Sequence, residues 1–240
     1  MPTKRSPLLC ELHAHTTWSD GSLSVPELVD LYGSRGFDVL CITDHVSREG
    51  DTSLRASVRA ANHAAYLAEV EAEAARGRRR YGLVVVPGLE LTYNDPDPFL
   101  SAHAVALGCR TFVSVDDGIE HAMAAARTER AAIVAAHPDR TRSRSVRTHA
   151  TLRFSRDWRT LRPLVDRWEL FNRLELYGWV AQRGLPAVAS GDFHVHDHLA
   201  GWKTLLPCQK DEEAIVAYLR SERPAFISRV PAEPLDALAA

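Results

Sequence analysis

Lysine is almost missing from this chain. Lys4, Lys203 and Lys210 stand against 26 arginines, an imbalance that coding bias alone can produce, so arginine abundance does not by itself point to phosphate binding. Cysteine is sparse too. Cys10, Cys41, Cys109 and Cys208 lie far apart and form no CxxC pair, which argues against a disulfide framework and predicts a reducing compartment, the cytoplasm. No long apolar run follows Lys4 and Arg5 or occurs elsewhere, so neither a signal peptide nor a membrane span is expected. Excess positive charge is also lacking. A formal net charge of -2 argues against a protein built to hold nucleic acid by bulk charge, and no stable nucleic-acid partner is expected. Internal repeats and low-complexity linkers are absent.

What is present is 240 residues with an ordinary hydrophobic share of 45%. One barrel of alternating strands and helices would use that whole length. The chain is organised around its first strand, Leu8-Leu9-Cys10-Glu11-Leu12, and the loop that leaves it. His13 and His15 alternate with Ala14, so in a strand they point to one face and can grip one metal ion. Asp20 and Gly21 follow in the loop, where glycine permits a tight turn.

Further elements follow in alternation. Ser24, Pro26 and Glu27 read as a capped helix start, with Leu28, Leu31 and Tyr32 on one face. A compact apolar strand over 37–43 ends in Asp44-His45, and the strand–helix–strand order implies a parallel crossover. A long helix is expected over 54–76, buried along Val58, Ala61, Ala65, Leu67 and Val70, with His63 structural or exposed and Arg78-Arg79-Arg80 solvated. The strand over 83–91 carries Pro87-Gly88-Leu89-Glu90. A glutamate ending an apolar strand is costly to desolvate unless paired, and a metal would satisfy it. A strand over 103–108 begins, rather than ends, with His103, which implies an antiparallel strand or a misplaced one. A helix over 118–130 precedes a strand over 131–136 that ends in His137-Pro138. Residues 140–162 read as a long arginine-dense loop, 167–172 as a strand ending in Asn172, and 174–183 as a helix closed by Gly184. The strand over 187–190 runs into Gly191-Asp192-Phe193-His194. A helix over 212–220, a short strand over 225–228 and a peripheral tail over 230–240 complete the chain. Gly201-Trp202-Lys203-Thr204 lacks the spacing of a phosphate-binding loop.

Nine candidate ligands therefore fall at or beside strand ends: His13, His15, Asp20, His45, Glu90, His103, His137, Asp192 and His194. In parallel α/β barrels the carboxyl ends of the strands form one face that holds the active site, so residues distant in sequence converge there. Nine ligands exceed the need of one metal. Three-residue sets completed by water, with one bridging carboxylate, would hold three ions.

The ordered set of motifs resembles the PHP (polymerase and histidinol phosphatase) family. It comprises His13-Ala14-His15 with Asp20-Gly21, Thr43-Asp44-His45, Pro87-Gly88-Leu89-Glu90, Ala102-His103-Ala104-Val105, Ala136-His137-Pro138 and Gly191-Asp192-Phe193-His194. The resemblance implies a single α/β domain over 1–240, a distorted seven-stranded TIM-like barrel. It implies two to three divalent ions (Zn, Mn or Fe). One would lie on His13, His15, Glu90 and Asp192, a second on Glu90, His103 and His137, and a third on Asp20, His45 and His194. It further implies a phosphoesterase acting on a small phosphorylated substrate, with Glu90, Asp192, His194 and Asp20 at catalytic positions. A hydroxide bridging two metals would attack phosphorus. Histidinol phosphate, nucleotide 3',5'-bisphosphates and short 5'-phosphorylated oligonucleotides are substrates of relatives.

For substrate contacts the sequence offers Arg140 and Arg142 beside His137, Asn172 at a strand end, and His196 as a proton donor. Trp18, Trp158 and Phe193 can stack a base or imidazole, although core packing is the commoner use. Two rival readings are kept. One is a C–N hydrolase of the amidohydrolase type, which shares His-x-His on its first strand but usually bridges its metals with a modified lysine. The other is a non-catalytic metal-binding accessory module, which the intact ligand set disfavours.

Overall fold

A computed structural model describes residues 6–54, 56–141 and 150–232. In chain order the elements are β1 (Leu8–Glu11), α1 (Val25–Ser34), β2 (Val39–Ile42), β3 (His45–Ser47), α2 (His63–Tyr81), β4 (Val84–Tyr93), β5 (Ala102–Leu107) and α3 (Ile119–Thr128). They continue with β6 (Ala132–Ala136), α4 (Arg153–Leu161), β7 (Arg167–Asn172), β8 (Glu175–Leu176), α5 (Gly178–Gln182), β9 (Ala187–Ser190), β10 (Gly201–Leu206), α6 (Glu212–Leu219) and β11 (Phe226–Val230). The strands form one curled mixed sheet in the order β11-β10-β1-β2-β4-β5-β6-β7-β8, with β3 also on β4 and β9 also on β7. Seven of them, β1, β2, β4, β5, β6, β7 and β9, make the distorted TIM-like barrel.

Two departures from a regular barrel place the site. First, β2 and β3 pair with β4 in one continuous register, Ile42 opposite Pro87 and His45 opposite Glu90. They are one strand interrupted at Thr43-Asp44, so His45 comes to lie beside Glu90. Second, β5 runs antiparallel to both β4 and β6, which brings its first residues to the end where its neighbours finish.

Closure of β9 onto β10 and β1 uses side chains more than backbone. The Thr204 hydroxyl donates to Ala189 O at 2.7 Å and accepts from Ala189 N at 2.9 Å, and Glu11 Oε1 accepts from Gly191 N at 2.7 Å. Only beyond these does backbone pairing resume, with His15 N donating to Phe193 O and Phe193 N to His13 O.

Alternation along each strand divides the apolar residues between two cores. Leu40, Ile42, Val85, Ile133 and Trp168 pack outward against the helices, whereas Cys10, Val39, Cys41, Val86, Val105 and Val134 fill the barrel. The inner core is completed by Ile215, Tyr218 and Leu219 of α6, which lies across the end where the parallel strands begin. Arg167, buried at the start of β7, fastens that helix. Its guanidinium donates to the carbonyls of Leu219, Tyr218, Ser221 and Arg223 at 2.6–3.0 Å. All four cysteines are free.

Several sequence expectations are corrected. The long helix begins at His63, not residue 54, and extends to Tyr81 before Gly82 closes it at φ 65°. The Tyr66 hydroxyl bonds the carbonyls of Ile42 and Gly88, which turns Tyr66, Val70 and Gly77 inward and leaves Ala61 and Ala65 exposed. His63 is buried and packs on Phe112. Residues 140–162 are not all loop. Buried Phe154, packed on Trp168, anchors α4 within that stretch, while 142–149 lie outside the described residues. The expected helix over 174–183 is instead the short β8 and the short α5. The sequence reading did not place a strand at β10, whose Trp202 stacks on Phe171. Of the tail, Val230 still belongs to β11, and 233–240 are outside the described residues. Arg167→Ala is expected to lower unfolding stability by roughly 2–4 kcal/mol, because several buried carbonyls lose a charged donor. A urea midpoint shift with unchanged slope would show it, and no shift would contradict this role of Arg167.

Candidate metal centre

The nine residues meet at the mouth formed by the carboxyl ends of β1, β2, β4, β6, β7 and β9. Glu90 stands at their centre, fully buried. Its Oε2 lies 2.6 Å from His45 Nδ1 and 3.4 Å from Nε2 of both His13 and His15. Its Oε1 lies 3.1 Å from His103 Nδ1 and 3.3 Å from His137 Nε2. One carboxylate thus faces five imidazoles. Asp192 Oδ1 approaches the same pair of nitrogens, 3.4 Å from His15 and 3.7 Å from His13. Nearer solvent, Asp20 Oδ1 sits 3.4 Å from His45 Nε2 and 3.3 Å from His194 Nε2, and the His15 ring lies 4.3 Å from those of His45 and His194.

Three groups have donor atoms within 4.8 Å of one another: His13, His15 and Glu90; Glu90, His103 and His137; and His15, Asp20, His45 and His194. Set beside the partition the resemblance implies, these groups lack Asp192 in the first, although its Oδ1 stands 3.4 Å from His15, and add His15 to the outermost. The chemistry of this donor set fits a divalent cation. The Nε2 atoms of His13 and His15 are buried 3.0 Å apart, and Glu90 Oε2 receives no well-angled hydrogen bond despite the close His45 nitrogen. Buried imidazoles and carboxylates so arranged match the ligands of divalent metal sites in type and number.

Without a cation, protons do the balancing. Burial alone would lower the basicity of His13 and His45, but the Glu90 charge outweighs it, raising His13 well above the usual value and His45 to about 10. His15 and His137 go the other way, to about 3, chiefly through burial, with the neighbouring His194 and Arg140 respectively acting in the same direction. Glu90 and Asp192 stay well below the ordinary carboxylate range despite burial, because cationic neighbours favour the charged form.

Supporting residues that the sequence reading missed hold the ligands in place. Glu169 is buried beneath the cup. Its Oε1 lies 3.3 Å from His13 Nδ1 and accepts from the Ser190 hydroxyl, while its Oε2 accepts from His137 N at 2.6 Å and Asn172 Nδ2 at 2.8 Å. A carboxylate on the far nitrogen of a ligand histidine fixes its tautomer and raises its basicity. The signal was present: Glu169 interrupts the apolar strand Arg167-Trp168-Glu169-Leu170-Phe171 just as Glu90 interrupts its own. Asn94 and Thr151 contact the ring nitrogens of His103 and His137 that face away from Glu90, and Thr92 contacts the same His45 Nδ1 that lies against Glu90. Asp44 accepts from Thr16 N, the Thr16 hydroxyl and the Ser19 hydroxyl, which folds the loop to Asp20. Gly21 serves that loop through space, since a Cβ there would collide with the His15 carbonyl. His137 (φ 29°) and Asp192 (φ 44°) hold left-handed backbone that non-glycine residues avoid.

The proposed substrate contacts divide. Arg140 is mostly buried, its Nη2 2.5 Å from Asn172 Oδ1 and 3.0 Å from Asp192 Oδ2. Arg173, not singled out from sequence, donates to Asp192 O at 2.8 Å. These two arginines, Asn172, Glu175, His198 and Arg229 line a cavity of ≈ 550 Å³ beside the cup. Arg142 is outside the described residues. His196 is not brought to the cluster. His198 packs against the His194 ring instead, while His196 lines a separate cleft with Leu9, Arg35 and Phe37, because a 3₁₀ turn follows Val195. Phe193 is buried on Tyr32, the Trp18 indole donates to Glu69, and Trp158 lies between Arg159 and Arg183, so the stacking roles are not seen.

Fold and site together define a barrel protein with a cup of clustered histidines and carboxylates at its mouth. The chain belongs to the PHP domain family, whose model matches residues 11–169. Its fold is similar to that of a two-domain protein from Bacteroides vulgatus ATCC 8482 containing a predicted PHP-like metal-dependent phosphoesterase (15% identity, TM-score 0.65), covering 94% of this chain and 66% of that one. It is also similar to an amidohydrolase from Chromobacterium violaceum with bound sulfate and no metal (17% identity, TM-score 0.58), covering 92% and 97%. No curated protein matches.

Two outcomes follow. If Glu90 is shared between two ions, Glu90→Ala should lose both equivalents, measured as metal content after reconstitution; full content in that variant would refute the bridging assignment. At pH 8 His45 carries a proton that a cation must displace, whereas His15 and His137 carry none. Metal addition to metal-free protein should therefore release protons, and affinity should fall as pH drops. Calorimetry in buffers of different ionisation enthalpy measures this, and zero release would contradict it.

Proposed function

We propose that this protein is a metal-dependent phosphoesterase that hydrolyses a small phosphomonoester. The observation that supports this most is the position of Glu90, one carboxylate shared among five imidazoles. The ligands would be His13, His15, Glu90 and Asp192 for one ion, Glu90, His103 and His137 for another, and Asp20, His45 and His194, with His15 adjacent, for a third. Bound there, divalent ions would lower the pKa of water and polarise phosphoryl oxygens.

The chain's own groups do the rest. Glu169 holds His13 in one orientation and, through His137 N, fixes the strained turn after β6. Arg140 and Arg173 restrain Asp192 while lining the adjacent cavity, so positive charge flanks the place where a phosphorylated group would enter. Substrate resembling histidinol phosphate or a nucleotide bisphosphate would set its phosphoryl at the cup and its remainder in the cavity. A short oligonucleotide is a further candidate substrate.

The C–N hydrolase reading draws on the similarity to an amidohydrolase fold. It is disfavoured by where the lysines are: Lys203 is buried against Glu11, Lys210 pairs with Asp38, and among the described residues no lysine reaches the cup. Among the described residues no helix is long and apolar enough to cross a membrane; the cytoplasmic location is proposed from the sparse, unpaired cysteines alone. The deciding test is hydrolysis of a panel of phosphomonoesters and phosphodiesters by metal-reconstituted protein, with metal content measured on the same sample. Turnover should vanish with chelator and return with Mn or Zn. Bound metal without turnover of any phosphoester would overturn the proposal and favour the C–N hydrolase or accessory reading.

A further inference from the structure

Outside the ligand set, the barrel seam contains a buried ion pair. Lys203 and Glu11 are both fully buried, with Nζ 2.6 Å from Oε2. A buried pair of this kind is a poor source of net stability, because apolar residues of similar volume often serve as well. What distinguishes this one is what else the carboxylate holds. Glu11 accepts from the Tyr32 hydroxyl at 3.0 Å and from two backbone N–H groups, those of His13 at 3.2 Å and Gly191 at 2.7 Å. Lys203 also donates to His198 O at 3.2 Å.

The two N–H groups lie on opposite sides of the seam. His13 belongs to the arm that leaves β1; Gly191 immediately precedes Asp192 on the arm that leaves β9. No backbone ladder joins β1 to β9 at this level, and the first direct pairing is the isolated bridge between Ala14 and Phe193. The fit is close enough that Gly191 admits no side chain, since a Cβ would collide with Lys203 Nζ and Glu11 Oε2. We propose that the Glu11–Lys203 pair is a positioning device, which sets the spacing between the His13–His15 arm and the Asp192–His194 arm of the metal centre. Glu90, His103 and His137, on or beside β4, β5 and β6, are joined by continuous ladders and do not depend on it. The inference rests on the metal-centre reading.

The test is Mn²⁺ titration of the metal-free protein and of the variant E11L/K203M, with thermal unfolding of both without metal. The paired substitution avoids leaving one buried charge alone. It should fold, retain one tightly bound ion, and bind the ions that need both arms about 10- to 100-fold more weakly, the usual effect of losing a group that orients ligands. Adding His137→Ala should remove the retained ion. The conservative pair E11Q/K203M keeps an oxygen for Gly191 N and should recover most of the affinity. If E11L/K203M does not fold, Gly191→Ala takes its place, with the same selective loss expected. Unchanged affinity at all sites would overturn the proposal, as would equal weakening of all sites, the mark of a merely structural pair. A wild-type protein that binds no Mn²⁺ would overturn the metal-centre reading and this inference with it.

Discussion

The structure depends on one desolvated carboxylate. Glu90 sits in the longest strand of the barrel with no exposure to water, where a lone negative charge is prohibitively unfavourable. Compensation must come from every side, and the chain supplies it by geometry. The interruption of β2 at Thr43-Asp44 carries His45 alongside, the reversed direction of β5 brings His103 across the strand, and the ends of β1 and β6 add His13, His15 and His137. The break in the second strand and the reversal of the fifth each deliver a histidine to this group.

Holding so many donors close together means that most supporting interactions restrain backbone rather than fill volume. Glu169 grips a histidine ring and a left-handed peptide at once. Arg173 adopts positive φ itself (56°) while binding the carbonyl of Asp192. Strain of about 1–3 kcal/mol per such residue persists only where surroundings over-determine it. Here charged side chains supply that determination, and the inner apolar core lies behind them.

Much of this was legible in the sequence. The nine clustered residues were found because they stand at or beside the ends of apolar runs, with Asp20 in the loop beyond the first, and the odd position of His103 left a reversed strand or a misplaced one, of which the structure has the reversed strand. The boundaries of α2 were not legible, because alanine-rich sequence has no periodic stripe strong enough to fix its phase; the Tyr66 hydroxyl fixes it through contacts distant in the chain. β10 escaped notice because Gly201-Trp202-Lys203-Thr204 buries a lysine where a strand core would be apolar. Its partner is Glu11, 192 positions away. His196 was preferred to His198 from sequence, and the 3₁₀ turn reverses that choice by bringing His198 to His194. Polar residues whose partners are remote in sequence carry no local signal, and those residues are the ones that orient the cup.

α6 closes the opposite end of the barrel, with Arg167 locking it from within. Traffic is therefore one-way in space: whatever enters the cup must also leave by the same opening. Side-chain exposure falls inward along that route, from 33% at Asp20 and 21% at His194 to 3% at His137 and none at Glu90. Any cation and any substrate held there would share this one doorway, so access to the cup is set by the shape of a single rim.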